Sequence, residues 1–342
     1  MVTRDSPPSI GIVSAGRYIP EGFVTSAELA ARTGIPEPVI REKFGLRRKP
    51  TPGPEDHTGA MGLWAAQDAL ARGGVDPLEI DLVLCTTEEW KEYPLWTAGI
   101  KLAHDLGARR AWALDVQLRC GTTMAAMRVA KAMMLSEPGV RTVLIAGGYR
   151  NCDFVDLENP RSRFLTNLSA GGGALILRRG HPRNHLLASA VITDGSFSLD
   201  VIVPVGGTVE PLTEENRARY RLDVPDPPGM KQRLDKRSMA SFLQVIDDAL
   251  RDSGHSRADI DFLNILHMKR SAHDYVLREL GLSQEQSLYL QDYGHIGQQD
   301  QPLVITRALE EGLLRDGDLM VMVAAGIGYA WAASVVRWGP SS

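Results

Sequence analysis

The chain repeats itself, and that constrains its fold more than any other feature. Asp68-Ala69-Leu70, Gly74 and Ile80-Asp81 recur as Asp248-Ala249-Leu250, Gly254 and Ile260-Asp261, each being a helix end, a Gly stop and the entry to an apolar run. Downstream, Thr142–Gly148 is matched by Leu319–Gly326, and Ala174–Arg178 by Ser334–Arg337. Three matches in one order mark an internal duplication, with a first half at about 1–180 and a second at about 181–342. The length of 342 residues agrees, because single hydrophobic cores rarely grow beyond about 250–300 residues.

Within each half, apolar runs of strand length alternate with longer stretches of helical period, the pattern of an α/β architecture with buried strands. Strands are expected at Leu82–Cys85, Trp112–Val116, Thr142–Ala146 and Ala174–Leu177, then at Leu187–Ile192, Phe262–Leu266, Ser287–Leu290, Met320–Ala324 and Ala333–Arg337. Helices are expected at 58–72, 93–106, 121–136, 239–252, 271–280 and 302–314. Residues 207–236 are polar and Pro-rich and read as a surface excursion, although long ordered loops often serve function. The basic run Arg41–Pro50 reads first as a solvated face and second as a phosphate-gripping patch.

Composition narrows the function. The net charge is −4, so no positive field gathers nucleic acid or an anionic membrane. Nowhere do about 18 apolar residues run together, and the first residues lack a signal-peptide core. The three cysteines, Cys85, Cys120 and Cys152, are far apart and form no CxxC pair, which argues for a reducing, cytoplasmic setting and against zinc.

Cys120 is the strongest candidate for chemistry. It follows the apolar run Trp112–Val116 and opens a small-residue helical segment, where the helix dipole and unpaired N–H groups favour thiolate over thiol. Cys85, inside an apolar run, reads as core. A nucleophilic cysteine needs a base. His267 ends the run Phe262–Leu266, at the strand edge where catalytic groups gather in open α/β sheets. His295 sits in the loop Tyr293-Gly294-His295-Ile296-Gly297-Gln298-Gln299-Asp300, whose glycines suggest close backbone approach. Ala324–Trp331 reads as a tight turn between two strands that could present an N–H to an oxyanion. There is no GxGxxG after the first strand, no Walker A loop, no GxSxG elbow and no HExxH, and Gly171-Gly172-Gly173 precedes no helix.

In order and spacing these features resemble the β-ketoacyl-acyl-carrier-protein synthase III family of the thiolase superfamily. The marks are Tyr18-Ile19-Pro20-Glu21, Lys43-Phe44-Gly45-Leu46-Arg47, Asp115–Cys120, Ser169–Ala174, Leu266-His267 and Gly326–Trp331 with Val336-Arg337. The resemblance implies the duplicated five-layered α/β/α/β/α thiolase fold and a homodimer. It also implies that Cys120 accepts an acyl group from a thioester, over an oxyanion hole formed by the Cys120 and Ile327 N–H groups. No metal and no resident cofactor are implied. The donor is an acyl-coenzyme A or a phosphopantetheine-linked acyl group on a carrier protein, with Lys43, Lys269 and Arg270 as candidates to meet it.

The departures from the family are specific. Where it has Asn in His-Gly-Asn-Thr-Ser, this chain has His295; where it stacks adenine on Trp, this chain has Val39; and Met268-Lys269-Arg270 replaces Gln-Ala-Asn. The favoured expectation is an acyltransferase resembling the family's natural-product members. In it His267 is the general base, His295 or Asp300 orients it, and a small-molecule hydroxyl, an amine or a carrier thiol is the acceptor. The alternatives are decarboxylative condensation with a malonyl thioester, supported by a Cys-His-His set, and a non-catalytic scaffold.

Overall fold

The computed structural model describes residues 8–340; positions 1–7 and 341–342 of the two expected halves lie outside the described residues. The first half supplies β1 (Ile10–Tyr18), β2 (Gly22–Thr25), α1 (Ser26–Thr33), β3 (Arg48–Thr51), α2 (Thr58–Gly73), β4 (Leu82–Cys85) and α3 (Ala98–Leu106). It continues with β5 (Trp112–Asp115), α4 (Thr122–Ser136), β6 (Thr142–Tyr149) and β7 (Gly171–Arg179). The second half supplies β8 (Arg183–Thr193), α5 (Pro227–Asp252), β9 (Phe262–Ile265), α6 (Arg270–Leu280), α7 (Asp300–Glu310), β10 (Leu319–Gly326) and β11 (Ala330–Pro340).

The strands run in the order β5-β4-β6-β7-β1-β8-β11-β10-β9, and β2 and β3 form a separate hairpin. Each half repeats one pairing scheme. In the first, β4 is parallel to β6, and β6-β7-β1 are antiparallel; in the second, β9 is parallel to β10, and β10-β11-β8 are antiparallel. Within the sheet the halves meet at β1 and β8, where Gly11 stands opposite His185. Helix α2 packs on β1, β6 and β7, α4 packs on β6, β8 and β11, α7 packs on β1, β7 and β9, and α5 covers β8 and β11. Helices α4 and α7 therefore fill the middle of five layers, and their Met124, Met127, Leu303 and Val304 share one buried core with strands of both halves.

The repeated motif has a repeated job. Asp81 Oδ2 accepts from the backbone N–H groups of Arg141 and Thr142 at 2.9 Å, and Asp261 Oδ2 accepts from Leu319 N–H at 2.8 Å. Each carboxylate thus ties the entry of one strand to the start of its parallel neighbour. Helix α2 sits close on the sheet because glycine faces it: a Cβ at Gly148 would stand 2.0 Å from Thr58 O, and one at Gly172 would stand 2.1 Å from Met61 O.

Some expected elements differ. The run Ser287–Leu290 is not a strand but a single parallel bridge, Ser287 to Leu263, beside β9 where β5 lies beside β4. Helix α5 starts at Pro227, within the expected excursion 207–236. Its prolines occupy the first turn, where no N–H is needed, and Asp226 caps it by accepting from Gly229 N–H at 3.0 Å. Helix α3 begins at Ala98 rather than 93, after an irregular stretch.

Candidate active site

Cys120 sits in a turn of 3₁₀-helix, Arg119–Gly121, that runs into α4. Thr122 locks the turn, its hydroxyl donating to Arg119 O at 2.6 Å and accepting from Leu118 N–H at 2.7 Å. Arg119 adopts φ +50, a costly backbone conformation for any residue but glycine, immediately before the nucleophile candidate.

His295 reaches the sulfur. Its Nε2 lies 3.1 Å from Cys120 Sγ, and its Nδ1–H donates to Asp300 Oδ2 at 2.6 Å. Asp300, fully buried at the start of α7, also accepts from Ile296 N–H at 2.8 Å on Oδ1 and from His267 N–H at 2.8 Å on Oδ2. Burial works against a charged His295, but the Asp300 carboxylate and then the Cys120 sulfur outweigh it and hold the imidazole well above its ordinary range.

The loop is shaped for this contact. His295 N–H donates to Asn167 O at 2.8 Å, and Ser169 N–H donates to His295 O at 2.9 Å. Gly294 and Gly297 both have φ +63; a Cβ would stand 2.5 Å from Asn167 O at the first and 2.3 Å from the Tyr149 ring at the second. Thr123 of α4 donates its hydroxyl to Gln298 O at 2.5 Å, fastening the histidine loop to the cysteine helix.

His267 is placed differently from the sequence expectation. Its Nδ1 accepts from Asn167 Nδ2 at 3.2 Å and its Nε2–H points to Gly45 O at 3.4 Å, so both ring nitrogens face protein groups. Burial pushes it down to about 4 against the pull of Asp300, which leaves it neutral near pH 7. The order of the two histidines is therefore reversed. His295 faces the sulfur and Asp300 orients His295, whereas the side chain of Asp300 meets His267 only at its backbone.

The end of β10 brings Gly326, just before Ile327, against Cys120. Gly326 makes this approach feasible, since a Cβ there would stand 2.6 Å from Cys120 N and 2.7 Å from Arg119 Cβ. Lys43 and Lys269 are exposed around Phe44, with Lys269 Nζ 5.8 Å from the Phe44 ring centroid. Arg270 stacks on Tyr289 at 4.6 Å and pairs with Asp274 at 3.2 Å. The rest of the basic run is committed elsewhere: Arg47 and Arg48 pair with Asp292, and Lys49 is buried. Cys85 and Cys152 lie away from the histidines, and burial pushes both thiols up to about 11.

Two contributors carry no mark in the sequence. Asn167 holds both histidines, and Lys49 holds the end of the 3₁₀ turn Arg163–Asn167 by donating from Nζ to Thr166 O at 2.7 Å and Leu168 O at 2.5 Å. Burial pulls Lys49 down to about 8. Among the described residues no group of three or more His, Cys, Asp or Glu side chains could hold a metal ion, and no helix is long and apolar enough to cross a membrane.

A duplicated five-layered fold with a cysteine at a buried helix start, faced by a carboxylate-backed histidine, defines a thiolase-fold enzyme of acyl-thioester chemistry. Residues 114–195 match the 3-oxoacyl-[acyl-carrier-protein] synthase III family model, and residues 250–338 match the model of that family's C-terminal part. The chain belongs to this ketosynthase III-like family. It is 28% identical over 338 residues to a β-ketoacyl-[acyl-carrier-protein] synthase III of Symbiobacterium thermophilum, covering 96% of this chain and 98% of that one. It is 26% identical over 331 residues to the protein of the same name from Synechocystis, covering 96% and 97%. Among solved structures, it resembles the 3-oxoacyl-[acyl-carrier-protein] synthase III of Aquifex aeolicus with a TM-score of 0.84 at 20% identity, covering 96% of this chain and 100% of that one. It likewise resembles the priming β-ketosynthase of the R1128 polyketide pathway with a TM-score of 0.85 at 21% identity, covering 99% and 100%.

Proposed function

We propose that the protein takes an acyl group from a carrier-protein or coenzyme A thioester onto Cys120 and passes it to a hydroxyl, amine or thiol acceptor. The observation that carries this reading is the line Cys120–His295–Asp300, with contacts of 3.1 and 2.6 Å. A Cys-His-Asp line is a nucleophile, a base and an orienting carboxylate.

His295, held protonated by Asp300, stands with its Nε2 at the Cys120 sulfur. Cys120 Sγ attacks the thioester carbonyl, and the oxyanion rests on the Cys120 and Ile327 N–H groups. As the intermediate collapses, the carbon–sulfur bond to the donor breaks and the leaving thiolate takes the proton from His295 Nε2. The now neutral His295 then accepts the acceptor's proton as that acceptor attacks the acyl-cysteine. Collapse of the second intermediate breaks the acyl–sulfur bond, releasing Cys120 Sγ with the acceptor's proton left on His295. Asp300 orients His295 throughout, and His267 positions the loop from behind.

Decarboxylative condensation is the second reading, and the names of the relatives favour it. It would require His267 to exchange the Gly45 carbonyl for the oxygen of a malonyl thioester. Intact-mass measurement of an acyl adduct on the wild type and on Cys120→Ala tests the common first step. Carbon dioxide release and a β-keto product from malonyl thioester would decide for condensation. No adduct with any thioester would point to a non-catalytic scaffold.

The patch of Lys43, Lys269 and Arg270 supports a phosphopantetheine or acidic carrier donor. A homodimer is supported by β5, a sheet edge whose Trp112 is half-exposed, and by the exposed Tyr93, Leu95 and Ile100 in and before α3. The free cysteines fit the cytoplasm.

A further inference from the structure

A cavity of about 480 Å³ opens beside the nucleophile turn, bounded there by Arg119 and Ile327. Its far wall is aromatic. Trp90, Phe154 and Tyr220 pack together with ring centroids 4.4, 5.3 and 6.1 Å apart. Trp90 Nε1–H already donates to Asp153 Oδ2 at 3.1 Å, so the indole offers the cavity only its ring. A cavity of this size lies toward the lower end of the range of about 300–1,000 Å³ for small-molecule sites, and aromatic side chains pack on planar rings in offset-stacked or edge-to-face contact.

The polar side of the cavity is short of positive charge. Among the described residues that line it, Arg119 is the only cation, and it is spent on two carboxylates: Glu89 Oε2 at 2.5 Å and Glu88 Oε2 at 3.6 Å. Glu88 is 4% exposed, and its Oε1 is buried without a hydrogen-bond partner. Its Oε2 also accepts from Asn151 Nδ2 at 3.2 Å, and Asn151 lines the cavity. An acyl group with its own carboxylate would bring negative charge to a guanidinium already paired with Glu89. A hydroxyl or amine donor would instead meet surplus acceptors.

Resting on the acyl-transfer reading, we propose that the group carried by Cys120 is an uncharged aromatic acyl unit, a single planar ring bearing a hydroxyl or amino donor. It would arrive as its thioester and leave as an ester, amide or new thioester, by the same exchange of one acyl–sulfur bond. The pocket thereby discriminates against malonyl and against linear fatty acyl groups.

The test uses the full-length protein and N-acetylcysteamine thioesters of 3-hydroxybenzoic, octanoic and malonic acids, with the rate of Cys120 adduct formation read by intact mass. The hydroxybenzoyl group is expected to load about tenfold faster than octanoyl, the scale of an aromatic contact, and about 100-fold faster than malonyl, the scale of a like-charge clash. In Glu89→Gln, which removes the nearer of the two carboxylates at Arg119, the malonyl-to-hydroxybenzoyl rate ratio is expected to rise about tenfold. Octanoyl or malonyl loading as fast as hydroxybenzoyl in the wild type would overturn this assignment and leave acyl transfer standing. No adduct from any of the three would overturn acyl transfer and this assignment together.

Discussion

Asp300 holds His295 by its side chain at 2.6 Å and, through the same oxygen, the backbone of His267 at 2.8 Å. One buried carboxylate therefore sets the tautomer of the histidine at the sulfur and the position of the other. Asp300→Asn is expected to slow acylation of Cys120 by up to about 10⁴-fold, as losing the orienting carboxylate does in triads. Single-turnover loading, with circular dichroism as a check on folding, measures it. A loss under about tenfold would remove Asp300 from the mechanism.

The two histidines should separate in kinetics. His295→Ala is expected to lower acyl transfer by about 10²–10⁴-fold, the range for a general base. His267→Gln retains a polar group beside Asn167 and should cost about tenfold or less in that transfer. If the larger loss falls on His267, the order inferred from the contacts is wrong. If both variants abolish β-keto product formation from malonyl thioester in a protein that makes it, condensation is the activity.

Gly326→Ala places a methyl group 2.6 Å from the Cys120 amide nitrogen. The turn carrying Ile327 must then retreat. Loss of one oxyanion donor costs about 10²–10³ in rate, so this variant should load slowly while still being alkylated by iodoacetamide. Equal losses in loading and in alkylation would point to damage at the thiol itself.

Stability should fall on acidification. His267 and His273 are buried, and both are pushed down to about 4 from an ordinary value near 6.5. Between those values the unfolded chain binds protons that the folded one refuses, so each histidine lowers stability as pH falls, by at most about 1.4 kcal/mol per unit. His295 is shifted the other way. Its stabilising contribution is complete below about 6.5 and is lost only as pH rises through its elevated folded value. Urea unfolding at pH 7 and pH 5 should show the acid loss in the wild type and a smaller one in His273→Phe, since His273 Nε2 has no hydrogen-bond partner. An unchanged pH dependence in that variant would refute the assignment.

Local chemistry made part of this legible from the residues alone. The helix-stop glycines and strand-entry aspartates recur because each half needs the same ties, and Cys120 stands at a helix start that its small neighbours announce. The loop around His295 declared itself through Gly294 and Gly297, whose positive φ excludes most side chains. What stayed hidden depends on docking between distant segments. Nothing near His267 shows that Gly45 and Asn167 cover it, and nothing near Lys49 shows that it points inward from a basic run. The prolines at the start of α5 read as breakers because their cap, Asp226, matters only once the helix forms.

Cys120 and His295 are 175 positions apart, on opposite sides of the seam between β1 and β8. During synthesis the thiol therefore emerges long before its base. Until the loop before α7 docks, the nucleophile has no histidine at its sulfur. A truncated or half-folded chain cannot trap an acyl group it is unable to pass on, so the competence to load substrate itself reports that folding is complete.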